Sequence, residues 1–311
     1  MTPDNNSWPP DSDFGRRQFL SGLTKVAGSA LILSSPLASL AESYVRVDPS
    51  WTVGQIMDLF MNEVPGGPIK ETVDTLKAGN REIKVTGIVT SMFATLEVIN
   101  KAIDLNANFI IAHEPTFYNH LDKTDWLEND EVYRYKSDLL IKHNMAIWRN
   151  HDHIHRHLPD GVKTGVIAQL GWEKYFDPKA NHLVVVPAIT LKELIGDIKK
   201  KLGISTVRYI GNLSQSCKKV LVSPGFGDGS RTISTIAKEK PDVVLAGETH
   251  EWEVPEYIRD ARMTGQSISL VIMGHADSEE PGSEFMMTWL NEKVPGIKTT
   301  HIAARNPLSF F

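Results

Sequence analysis

The chain has 311 residues, 41% of them hydrophobic and 23% charged, with a formal charge of −5, enough length for one large domain or two ordinary ones. The acidic balance argues against a general nucleic-acid binder, which presents a basic face. Cys217 is the only cysteine, which excludes an intramolecular disulfide and a cysteine-based zinc site, and no run in the body of the chain approaches the roughly 18 apolar residues of a membrane span.

Residues 14–20 read Phe-Gly-Arg-Arg-Gln-Phe-Leu. An Ala/Gly/Ser-rich, weakly apolar stretch from Ser21 to Leu33 follows, then Pro36 and Ser39-Leu40-Ala41. An arginine pair, an apolar region and small residues before Glu42 are the ordered parts of a twin-arginine signal peptide. The expectation is a leader over 1–41 read by the twin-arginine export machinery, and a mature protein outside the cytoplasm.

From residue 50 helical and extended patterns alternate. Ile83–Thr90 is a β-branched run, Ala94–Leu105 has apolar residues at helical spacing, and Asn108–Ala112 reads as a buried strand. A helix over 131–143, an extended Met145–Trp148 and a helix over 164–170 come next. The second half gives strands at Leu183–Val186, Val207–Ile210, Val220–Val222, Val243–Ala246, Ile268–Met273 and Ile297–Ile302. Helices fall between them at Leu191–Leu202, 230–239, 253–261 and Glu284–Glu292. This alternation is that of an α/β protein. Two α/β lobes, about 50–180 and 181–311, are expected to meet near 180–190 and again near the C-terminus.

Acids and histidines gather just past strand ends. His113 and Glu114 follow Asn108–Ala112, and His151, Asp152, His153 and His155 follow Met145–Trp148. Glu248 and His250 follow Val243–Ala246, and His275 and Glu279 follow Ile268–Met273. In open α/β sheets the carboxyl ends of strands carry the loops that converge on a ligand. Four such ends bearing imidazole or carboxylate form a plausible shell for divalent transition metals. His120, His143 and His182 read as structural or surface residues, and Asp122, Asp125, Glu128 and Asp130 as a solvated acidic loop.

Several motifs resemble one known family. Ala107–Pro115 looks like the apolar strand and His-His-Pro motif of the dinuclear metal-centre hexameric proteins, the NGG-interacting-factor-three-like family. Gly274-His275-Ala276-Asp277-Ser278-Glu279 looks like its Gly-His-x-x-Thr/Ser-Glu motif, and Ala246–His250 like its Thr-Gly-Asp/Glu segment. The resemblance spans residues 50–311. It implies two α/β lobes with the metal site in the cleft between them, a toroidal homo-hexamer, and two divalent ions per subunit (Zn, Fe or Mn). The implied ligands are His113, Glu114, His155, His275 and Glu279.

Three positions depart from the family pattern. Glu114 replaces the second histidine of His-His-Pro, and the aspartate before the family's first helix is replaced near Phe93-Ala94. In the His151-Asp152-His153-Ile154-His155 segment, counting back from Gly161-Val162-Lys163 places His155 on the family's aspartate ligand. His151 then becomes a supporting or substrate-facing group, while Asp152 supplies the carboxylate if the loop shifts. Two close divalent ions can clamp a substrate oxygen and activate water, so hydrolysis of a small molecule is the natural chemistry, with Glu248 and His250 as acid–base groups. The family's GTP cyclohydrolase type 2-like members imply a purine ring, which an exported protein would meet rarely. The alternative is a metal-handling hexamer without turnover, in which Glu248 and His250 only support the ligands.

Overall fold

A computed structural model describes residues 50–177 and 183–309; the leader over 1–41 and His182 lie outside the described residues. The first sheet grows from α1 (Val53–Glu63), β1 (Leu76–Ala78), β2 (Ile88–Ser91), α2 (Leu96–Asp104), β3 (Phe109–Ala112), α3 (Glu131–Lys142) and β4 (Ala146–Arg149). Thr52 and Gln55 close a reciprocal capping box on α1, satisfying two backbone donors that a helix start otherwise leaves open. All four residues of β2, of β3 and of β4 are buried, with no alternation. Parallel strands covered on both faces read in this way. The β-branched run from Ile83 enters the sheet only at Ile88; before it, Val85 and Ile83 pair with the backbone of Trp51 and Val53.

Two helices follow β4, α4 (Asp152–Arg156) and α5 (Gly161–Gln169). The second sheet uses β5 (Leu183–Thr190), α6 (Leu191–Leu202), β6 (Arg208–Ile210), β7 (Ser216–Phe226), α7 (Gly229–Glu239), β8 (Val243–Glu248), α8 (Val254–Met263) and β9 (Ser269–Ile272). The chain ends through α9 (His275–Lys293) and β10 (Thr299–His301). The strand orders are β1-β4-β3-β2-β10 and β5-β7-β8-β9-β6. Each sheet has a parallel interior, and β1, β5 and β6 are antiparallel edges. The closing strand β10 pairs parallel with β2, so the C-terminus returns to the first sheet.

Helix α9 packs on strands of both sheets and along α5. Its first sheet contacts form a core with α1, in which Phe60, Trp148, Trp289 and Leu290 interlock. A Cβ on Gly165 would sit 2.1 Å from the Pro281 carbonyl oxygen, so only glycine allows α5 and α9 to approach this closely. Two segments differ from expectation. Residues 151–156, read from sequence as a loop past the strand end, form the helix α4 with His153 and Ile154 buried. Helix α9 starts at His275, nine residues before the expected Glu284, and continues through Pro281 despite the backbone donor that proline lacks.

Candidate metal centre

The centre is built where β3, β4 and β8 end and α9 begins. His113 and Glu114 continue β3, and their N–H groups donate to the carbonyls of Ser91 and Met92. His151 and His155 lie one turn apart around α4, and His275 and Glu279 one turn apart on α9, so each pair shares a helix face. Gly225, at φ +66°, brings β7 against this point. A Cβ there would lie 2.0 Å from Glu279 Oε1.

Glu279 is the middle of the cluster and is buried. Its Oε2 lies 3.3 Å from His113 Nε2 and 3.0 Å from His275 Nε2, and its Oε1 lies 3.7 Å from His155 Nε2. Glu114 Oε1 lies 3.2 Å from His275 Nε2 and 3.8 Å from His151 Nε2. The ring of His113 stacks on that of His151 at 4.8 Å. One ligand atom each of His113, His151 and His155 fall within 4.8 Å of one another, as do those of His113, Glu114 and Glu279. These are candidate metal-binding groups, and His113 belongs to both.

All four rings are held from behind. His113 Nδ1 donates to the Asn150 carbonyl at 3.2 Å, His151 Nδ1 to Asp152 at 2.9 Å, His155 Nδ1 to Asp160 at 3.3 Å and His275 Nδ1 to Glu248 at 3.0 Å. With Nδ1 engaged in this way, Nε2 is the nitrogen that each ring presents to the carboxylates. Burial opposes charge on His113, yet Glu279 outweighs it and raises the imidazole pKa. Burial and the neighbouring His113 lower that of His151. Burial also opposes the His275 imidazolium, but Glu114 and Glu279 push its pKa up to about 10. Burial disfavours the Glu279 carboxylate, and His113 and His275 nevertheless hold its pKa well below the usual value.

The profile of the Duf34/NIF3 (NGG1p interacting factor 3) family matches residues 70–307. The chain belongs to the Duf34/NIF3 family. This NIF3 family protein is 26% identical over 253 residues to the GTP cyclohydrolase 1 type 2 homolog of Clostridium acetobutylicum, covering 76% of this chain and 90% of that one. The homolog of Clostridium perfringens is 27% identical over 242 residues, covering 73% and 85%. The fold is that of a Staphylococcus aureus hypothetical protein, with TM-score 0.65 at 20% identity over 84% of this chain and 99% of the other. A Bacillus cereus protein related to NIF3 gives TM-score 0.65 at 17% identity, covering 84% and 98%.

In this NIF3 family protein the remaining residues named from sequence fall into place around the cluster. The Asp152 carboxylate is turned from Glu279 toward His151 Nδ1, the Thr72 hydroxyl and the Val73 N–H. Burial disfavours its charge, but these donors bring its pKa down to about 2. His153 points away from the cluster. It is buried, receives the Ile69 N–H on Nε2 at 3.1 Å and donates from Nδ1 to Asp74 at 2.6 Å. Glu248, His250, Glu114 and His275 line one open cavity of about 870 Å³. His250 stacks on exposed Trp252 at 4.5 Å and lies 4.9 Å from Phe226.

Asp122 is not part of a solvated loop. Its side chain is buried, Oδ1 accepts the N–H groups of Thr116 and Phe117, and Oδ2 meets Lys77 at 3.2 Å. Its positive φ of 54° turns the chain so that the carboxylate folds back onto the Thr116 and Phe117 backbone. Sequence reasoning also missed Asp74, Arg149 and Asp160. Only Asp160 left a local signal, as an acid immediately before the Gly161 helix start.

Proposed function

We propose that this protein holds two divalent ions on the His/Glu cluster and hydrolyses a small molecule admitted through the adjoining cavity. The observation that carries this reading is the set of four imidazoles whose Nδ1 atoms are occupied and whose Nε2 atoms face carboxylate oxygens at 3.0–3.8 Å. His113 Nε2 is buried with no hydrogen-bond partner. A ring nitrogen facing a carboxylate at these distances needs a proton or a metal ion between them. Protons on all four rings would crowd like charges in a buried space, whereas metal ions satisfy nitrogen and oxygen together. His113, His151, His155 and Glu279 would hold one ion, and Glu114, His275 and Glu279 the other. Imidazole and carboxylate without thiolate suit Zn, Fe or Mn.

Such a pair of ions, when bound, polarises a substrate oxygen and activates water. The chain's own residues supply the rest. Asp152, Asp160 and Glu248 hold the Nδ1 protons and so fix the rings. His250, 45% exposed on its side chain, stands in the cavity wall where it can receive or return a proton. The name borne by the Clostridium relatives supports ring-opening hydrolysis as the reaction class. A cavity of about 870 Å³ reaching Glu114 and His275 favours turnover over storage, since sites for small substrates have this order of volume.

The test is a hydrolase panel on protein of known metal content. Activity should vanish on chelation and return with metal. His250→Ala should lower kcat at least about tenfold with metal content unchanged. A panel with no metal-dependent turnover would leave only metal handling.

We further propose export by the twin-arginine route and assembly as a hexamer. Arg16 and Arg17, the apolar stretch and Ala41 support the first. Replacing both arginines by lysine should leave precursor in the cytoplasm, and undisturbed export of that variant would refute the route.

A further inference from the structure

Arg149 closes β4 and its side chain is fully buried. A buried guanidinium persists only where its charge and donors meet partners, and each of its three nitrogens finds one here. Nε donates to the His113 carbonyl at 3.3 Å, Nη1 to the His120 carbonyl, and Nη2 to Glu114 Oε2 at 2.8 Å. Asp122 Oδ2 lies 3.7 Å from Nη1, and Lys77 in turn lies 3.2 Å from that oxygen. The charges therefore run alternately from Lys77 through Asp122 and Arg149 to Glu114.

The consequence falls on Glu114. One of its oxygens is committed to the arginine, and only Oε1 is turned to the cluster, 3.2 Å from His275 Nε2. A carboxylate held in this way turns Oε1 alone to the cluster, and giving both oxygens to one ion would compete with the arginine contact. We propose that Arg149 is a specificity-determining positioning residue that restricts Glu114 to single-oxygen ligation. This inference rests on the reading of the cluster as a metal centre. A small shell of imidazoles and single carboxylate oxygens suits Zn²⁺, whereas Mn²⁺ gains from additional oxygen ligands. Arg149 thus biases the Glu114 position toward the first kind of ion, and its charge offsets the one that Glu114 adds.

The full chain, stripped of metal, is equilibrated with equimolar Zn²⁺ and Mn²⁺ and its bound metals are measured by elemental analysis. The Mn:Zn ratio should rise about tenfold in Arg149→Met. Arg149→Lys, whose ammonium can still engage Oε2, should stay within about threefold of the parent. If the methionine variant does not fold, Arg149→Gln decides, because it keeps a donor but no charge, and the ratio should rise there as well. A purely structural arginine would lower both ions together. An unchanged ratio, or a lysine variant as altered as the uncharged one, overturns the proposal. A parent chain that binds neither ion would instead defeat the metal reading itself, a different and recognisable failure.

Discussion

Glu279→Gln is expected to empty the centre. Among the described residues no other carboxylate touches three rings, with His113 and His275 on one oxygen and His155 on the other. The amide is isosteric, and Gly225 already leaves room for it, so packing is preserved while the charge disappears. On the two-ion reading proposed above, loss of a shared anionic ligand should weaken each ion by roughly a hundredfold or more. Elemental analysis after dialysis checks this, and a variant retaining parental metal would exclude Glu279 as a shared ligand. Protons and metal compete for the same nitrogens, so loading should release protons, and apparent metal affinity should fall as the pH falls. In the metal-free chain the sign for stability is the reverse. The His275 pKa is raised from 6.5 to about 10, so its ion pairs contribute fully below about pH 6.5 and fade as the pH rises through about 10.

His153→Ala and His155→Ala should part company although the residues are two apart. His153 is buried between the Ile69 N–H and Asp74. Asp74 also accepts the backbone N–H groups of His151, Asp152 and His153, so it closes the start of α4 from a distant part of the chain. Breaking a buried, charge-assisted network of this kind costs about 3–5 kcal/mol, or roughly 8–15 °C in Tm for a chain of this size. His153→Ala should show that loss in thermal unfolding and still take up metal at low temperature. His155 is partly exposed and touches the cluster through Nε2. His155→Ala should lose metal, measured per chain, while the metal-free Tm shifts by only about 1–2 °C. Metal loss in His153→Ala below its Tm, or full metal in His155→Ala, would reverse the two roles.

The residues that converge on the cluster were legible because strand ends announce themselves. A short apolar run stopped by His-Glu, or by Gly-His, marks where a buried strand leaves the sheet, and ligands bind at such ends. The α/β class followed from the same alternation, since burial on both faces leaves parallel strands uniformly apolar. Helix α4 was not legible. It has five residues and its N-cap, His151, makes no side-chain capping bond; the cap is Asp74, 78 positions before Asp152. No local pattern can report a helix that is stabilised by a contact so far away along the chain.

That distant cap decided what the five-residue run of histidines and aspartate does. Once 151–156 is helical, residues four apart share a face, and His151 turns to Glu114 and His155 to Glu279, while Asp152 turns to Thr72 and His153 to Asp74. Sequence register alone placed His155 and left Asp152 open beside it. Tertiary structure alone buried Arg149 against Glu114 and Asp122 against Lys77. Composition records a charge, but the fold determines how far that charge is removed from water and which partner it meets there.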